Sequence, residues 1–140
     1  MNFLGSLNIS ASGLYAQRKR MNVIASNLAN IEATHTKRGG PYRRKMVVMS
    51  TKPIQNFNKM LTLEAEGVKI DDIVEDKTPF RKVFNPGHPD ADREGYLLKP
   101  NIDLVVEITN MLMATRAFEA NVAAMKSTKQ MALKALEIGR

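Results

Sequence analysis

The sequence predicts a mainly α fold in which long N- and C-terminal helices of coiled-coil spacing pack together, with a small β-rich insertion between them. Three observations carry this. Apolar residues recur at alternating intervals of three and four near both ends of the 140-residue chain, the middle breaks into short apolar pieces between Pro, Gly, Asn and Asp, and neither Cys nor Trp is present. A core without disulfides or large aromatics has to come from helix packing. The expected division is a core-domain helix in 1–34, an extended or small β insertion in 35–100, and a second core-domain helix in 101–140.

The first helix is read from Leu4, Leu7, Ala11, Leu14, Arg18, Met21, Ala25 and Leu28, a seam with Arg18 as its intruder, and is expected over about residues 5 to 31. Asn30 and the Glu32-Ala-Thr-His-Thr36 stretch lower helix propensity, and Gly39-Gly40-Pro41 stops the helix. The second seam runs through Leu104, Ile108, Met111, Thr115, Phe118, Val122, Met125, Lys129, Ala132 and Leu136, with Thr115 and Lys129 as polar breaks. Pro100-Asn101 is expected to cap this helix, and Asp103 and Glu107 favour its positive end.

A helix over about residues 102 to 138 is about 55 Å long at 1.5 Å per residue, and a small domain cannot cover it. The first helix can bury part of its seam. Val105, Leu112, Ala124 and Leu133 widen the apolar set beyond one stripe, which implies neighbours on two sides, in a bundle or a multi-chain assembly. In the insertion, Met46–Met49, Val68–Ile70, Phe80–Phe84 and Tyr96–Leu98 read as short strands, Asn56–Lys59 as a loop, and Pro86-Gly87-His88-Pro89 as a fixed bend.

Charge is concentrated in the first part of the chain. Residues 1 to 60 hold ten Lys and Arg against the single acid Glu32, within an overall net charge of +7. Arg18-Lys19-Arg20 and Arg43-Arg44-Lys45 are able to meet phosphates, yet they match no recognition-helix, zinc-finger or RNP pattern. A basic nucleic-acid-binding helical protein and a cytoplasmic coiled-coil adaptor are the alternatives this reading carries. No apolar run approaches the roughly 20 residues that span a bilayer, so no membrane span is expected. The first basic residue is Arg18, and no cleavable signal peptide is expected.

Catalysis finds little to work with. Two histidines, His35 and His88, and fourteen acids are available, and no phosphate loop, dinucleotide loop, nucleophile elbow or zinc-protease motif occurs. Asp90-Ala-Asp-Arg-Glu-Gly95 resembles the opening of a calcium loop, but its twelfth position is Asn101 and Arg93 stands among the ligands, so a turn is expected instead. No catalytic residue, metal ligand or cofactor is assigned.

Asn22-Val-Ile-Ala-Ser-Asn27-Leu-Ala-Asn30 resembles the N-terminal signature of the bacterial flagellar rod and hook family, and Arg116-Ala-Phe-Glu119-Ala-Asn121 resembles its C-terminal counterpart. Gly39-Gly-Pro-Tyr-Arg-Arg-Lys45, Pro86-Gly-His-Pro-Asp-Ala-Asp-Arg-Glu-Gly-Tyr96 and Lys99-Pro-Asn-Ile-Asp-Leu104 extend the likeness over nearly the whole chain. The resemblance implies a non-enzymatic structural subunit of the proximal part of the axial rod, its helices packed against those of neighbours around an export channel. It implies as partners copies of the chain, other rod proteins, the motor (MS) ring, rod adaptor proteins and the flagellar type III export apparatus. It also implies a periplasmic location reached without cleavage of a signal. Where the wider family has a Thr-Pro-Gly-Tyr type turn this chain reads Ile31-Glu-Ala-Thr-His-Thr36, and Gly39-Gly40-Pro41-Tyr42 is expected to take the turn's part.

The expected subunit-interface residues are Leu7, Leu14, Met21, Asn27, Leu28 and Asn30 on the first helix. On the second they are Leu104, Ile108, Met111, Arg116, Phe118, Glu119, Asn121, Val122, Met125 and Leu136. The polar members are chosen because a polar group beside a packed seam fixes register and partner choice more than it adds stability.

Overall fold

The computed structural model describes residues 3–53 and 66–138, and the loop expected at Asn56–Lys59 lies outside them. Helix α1 spans Phe3–Ala29 and helix α2 spans Leu104–Ile138. Between them lie β1 (Lys45–Pro53), β2 (Glu66–Glu75), β3 (Arg81–Phe84) and β4 (Tyr96–Lys99). The strands form two separate antiparallel pairs, β1 with β2 and β3 with β4. Every apolar piece read as a strand is one, though β1 and β2 extend beyond the pieces that announced them.

α1 and α2 run antiparallel. Gly13 lies against Asn121, Arg20 Nη2 donates to Asn110 Oδ1 at 3.3 Å, and Asn27 Nδ2 donates to Glu107 Oε2 at 3.0 Å. The buried residues of α1 are Gly5, Ser10, Gly13, Ala16, Ile24 and Asn27, and those of α2 include Glu107, Ala114 and Thr128. These residues are offset from the expected apolar seams. Leu4, Ala11, Arg18 and Ala25 are exposed on α1, and Leu104, Ile108, Lys129 and Leu136 are exposed on α2. The rest of each expected seam is half-buried: Leu7, Leu14, Met21 and Leu28 on α1, and Met111, Thr115, Phe118, Val122, Met125 and Ala132 on α2, where Thr115 Oγ1 meets Met21 Sδ of α1.

Residue size explains the offset. Gly13 and Ala16 let the helix backbones approach, and the small seam leaves the larger apolar side chains outside it. α2 has 35 residues against 27 in α1, and extending the register brings Phe3 to the neighbourhood of Met131. The final turns of α2 therefore run past the described start of α1. Its first turn is capped by Asp103, whose Oδ1 accepts from the backbone N–H of Val105 at 2.8 Å and Val106 at 3.1 Å. The expected cap at Asn101 is corrected: that side chain is held by Thr78 and by the backbone of Arg44 and Asp76.

The β1–β2 ribbon lies along α1, where the backbone N–H of Val68 donates to Ser12 Oγ at 3.0 Å. Its register shifts between Val48 and Met49, which leaves Asp71 as the extra residue of a bulge on β2. In the β3–β4 pair the acidic run closes the turn. Asp92 Oδ1 accepts from the backbone N–H of Glu94 and Tyr96, and the backbone N–H of Asn85 donates to Gly95 O. Gly95 has φ +81°, and a Cβ there would sit 2.9 Å from Phe84 Cε2. Gly95→Ala is thus expected to destabilise the chain by about 2 kcal/mol through left-handed strain and this clash, seen as a lowered thermal midpoint.

Candidate functional site

The site is the seam between the terminal helices, the polar node that closes one end of it, and the faces of α2 that the seam leaves outside. Asn27 stands in the last turn of α1. After Ala29 the chain leaves the helix through Asn30, whose Nδ2 donates back to Ser26 O at 2.7 Å, and then reverses. Gly39 and Gly40, at φ +82° and +73°, make the reversal, closed by Thr36 N–H to Gly40 O and Gly39 N–H to Thr36 O, both 2.9 Å. Gly39-Gly40 of the Gly39-Gly40-Pro41-Tyr42 segment is thus where the chain turns back.

The reversal lays Lys45 beside Asn27. Asn27 Oδ1 accepts from Lys45 N–H at 2.9 Å, and Asn27 Nδ2 donates to Lys45 O at 2.9 Å, so one amide side chain pairs with both backbone groups of the first β1 residue. Its second donor position reaches Glu107 Oε2, and Tyr42 OH donates to its Oδ1 at 3.2 Å. Asn27 is 0% exposed and uses its full bonding capacity.

Glu107 is 1% exposed, one turn into α2. Its other oxygen, Oε1, receives Arg44 Nε at 2.8 Å and lies 2.7 Å from Arg44 Nη2. A carboxylate so buried is tolerable because both oxygens are paired. Arg44 Nη1 also stands 3.5 Å from Asp76 Oδ2, and its backbone N–H donates to Asn101 Oδ1 at 2.9 Å. The node thereby ties the end of α1, the start of β1, the residue after β2 and the approach to α2 into one piece. Leu97, Pro100 and Ile102, all fully buried, lie on that approach.

The Thr78 backbone N–H, 2.9 Å from Asp76 Oδ1, holds the Asp76 carboxyl below the usual carboxylate range, with Arg44 adding to the effect. A depressed carboxyl contributes stability that is complete above its unfolded value and is lost as pH falls through the folded one. Asp76→Asn is therefore expected to flatten the fall in stability below about pH 4, measured by urea melts from pH 2 to 7.

Spacing did not point to Gly13, Ala16, Arg44, Glu107 or Ala114 as seam residues. Of the polar residues that the family resemblance selected, Asn27 is buried and Asn121 is half-buried against Gly13, donating to Ala117 O at 3.0 Å. Arg116 and Glu119 are exposed and pair with each other at 3.1 Å, outside the helix-pair seam.

Helical periodicity divides the rest of α2 into two apolar flanks. One carries Val106, Met113, Ala120, Ala124 and Met131, and the other Leu104, Ile108, Val122 and Leu133. All but Val122 are exposed. Opposite the seam the N-terminal part of α2 shows Val105 and Leu112, 72% and 57% exposed, whereas the C-terminal part shows Arg116, Glu119, Lys126, Lys134 and Glu137. These residues leave apolar surface exposed along the length of α2. Among the described residues no helix is long and apolar enough to cross a membrane.

Comparison with known proteins agrees with this geometry at both ends of the chain. The family model described as Flagella basal body rod protein matches residues 7–35, and that described as Flagellar basal body rod FlgEFG protein C-terminal matches residues 93–138. The chain is similar to the flagellar basal-body rod protein FlgC of Bacillus subtilis (strain 168), 45% identical over 151 residues and covering 100% of both chains. It is also similar to the proteins of that name from Escherichia coli O6:H1, at 39% over 100% of both chains, and from Borreliella burgdorferi, at 36% over 99% of this chain and 98% of that one.

Proposed function

Because the chain belongs to the FlgC family of flagellar basal-body rod proteins, we propose that it builds the proximal rod by polymerising through its terminal helices. It is a structural rod subunit of the flagellar basal body. In the proposed arrangement the terminal helices, within 1–34 and 101–140, form the shaft around the export channel, and 35–100 is the extended, β-containing insertion between them in the sequence. The two helices engage neighbours with coiled-coil spacing along their exposed apolar residues.

The observation that carries this is the outward apolar surface of α2, which the chain's own α1 leaves uncovered on both flanks of the seam. Copies of the chain and other rod proteins supply the matching helices; the motor (MS) ring and rod adaptor proteins meet the assembly at its base. The chain is delivered by the flagellar type III export apparatus and assembles in the periplasm without cleavage of a signal. Its role is mechanical, the transmission of torque, and involves no enzymatic step.

Stepwise dissociation of purified basal bodies, followed by peptide mass spectrometry, tests the placement. The chain is expected to remain with the motor ring after the hook and distal rod have been stripped. Its release together with the hook would overturn the proximal assignment.

A further inference from the structure

The outer side of α1 carries a second surface that the helix seam does not use. Two adjoining clefts lie between α1, the Thr36–Lys45 loop and the end of β2, and they share Arg38, Lys45 and Glu75. Lys19 comes from α1, Lys37 and Arg38 from the loop tip, Arg43 from the end of the loop, and Lys45 is the first residue of β1. Glu75 is the single acid in either lining, and Arg38 already engages it at 3.3 Å. Among the described residues no carboxylate stands within ion-pair distance of Lys19, Lys37, Arg43 or Lys45.

Arg43, Lys45 and Lys19 stand against neutral partners. Arg43 Nη1 donates to the carbonyls of Asp76 and Thr78 while its guanidinium stacks 4.3 Å from the Phe80 ring centroid. Lys45 Nζ lies 5.6 Å from the ring centroid of Tyr42, and Lys19 Nζ lies 6.0 Å from that of Tyr15. Val23, Pro41, Ile73 and Phe80 place apolar surface between these charges.

We infer that this groove is a docking site for an acidic polypeptide segment of another protein in the basal body, with Lys19, Lys37, Arg38 and Lys45 receiving its carboxylates. Charge complementarity gives the sign of the partner, since a positive patch is matched by a negative one across an interface. The form of the groove gives its class. Cations spread over three elements with apolar surface between them suit alternating carboxylate and apolar side chains, whereas a phosphate group calls for donors converging on one point. The inference rests on the rod assignment only for where the partner is found.

Zero-length carbodiimide coupling, which joins an amine to a carboxylate in direct contact, tests it on purified basal bodies. Lys19 and Lys45 are expected to be linked to Asp or Glu of a different polypeptide, and the isolated chain is expected to show no such links. Lys37→Glu with Arg38→Glu should lower the yield of links roughly ten-fold, while Lys37→Arg leaves it unchanged. Links to Glu75 alone, or none, would overturn the inference. So would tight binding of heparin or anionic vesicles by the isolated chain at physiological salt without any protein links. Peptide mass spectrometry of the same basal bodies reports separately whether the chain is in the rod, which distinguishes failure of the inference from failure of the assignment.

Discussion

Asn27→Ala is expected to lower the stability of the folded chain by at least about 4 kcal/mol, the largest loss foreseen for any single truncation in the seam. The side chain is fully buried and makes four hydrogen bonds, to both backbone groups of Lys45, to Glu107 and to Tyr42. An alanine removes all four and leaves the Lys45 N–H and C=O to find other partners in a half-buried position. Each lost bond is worth about 1 kcal/mol net, and the unpaired groups add to this. Asn27→Asp is the sharper variant. It keeps an acceptor for Lys45 N–H but loses both donors and sets a second carboxylate 3 Å from Glu107, so at neutral pH it is expected to be less stable than Asn27→Ala. Urea melts should show a lower midpoint with an unchanged slope, and equal stability of wild type and Asn27→Ala would mean that the node is ornamental.

Leu112→Glu is expected to leave the isolated chain folded and to abolish its incorporation into basal bodies. The residue lies on the side of α2 away from α1 and is 57% exposed, so a glutamate there meets water and costs the monomer less than about 0.5 kcal/mol. In an assembly that covers α2 the same change removes a buried leucine, worth about 2 kcal/mol, and adds the desolvation of a charge. A loss of that size is repeated at every subunit of a polymer. The check is unchanged circular dichroism and thermal midpoint together with loss of swimming and absence from the rod. Normal motility would place the polymer contact elsewhere on the chain.

The existence and kind of the elements were legible from sequence because they follow from local rules. The three-four spacing marked both helices, and short apolar pieces between turn residues marked all four strands. The face each helix turns inward was not legible from apolarity. Periodicity selects the apolar stripe, but here the chain packs small and polar residues inward: Gly13 and Ala16 opposite Ala114 and Asn121, with Asn27 against Glu107. A single sequence scores glycine and glutamate as poor core residues, and only the Arg44–Glu107 pairing, 63 positions apart, makes the second one at home. The stripe that periodicity picked out is therefore divided, one part lining the intramolecular seam and the other facing outward. Asn27 was found from sequence through family resemblance rather than spacing, since nothing in the helical pattern marks it as the residue that pairs with β1.

We propose that small and polar residues hold the centre of the helix pair together while the outward apolar surface of α2, Leu112 included, meets neighbouring subunits. Since the chain contains no cysteine, single thiols report this directly. Maleimide labelling should be compared for Leu112→Cys and Ala114→Cys in the isolated chain and in intact basal bodies. Leu112→Cys should label rapidly in the isolated chain and be protected in the rod, while Ala114→Cys, at a fully buried position of the seam, should be protected in both. Equally rapid labelling of Leu112→Cys in both states would contradict the claim.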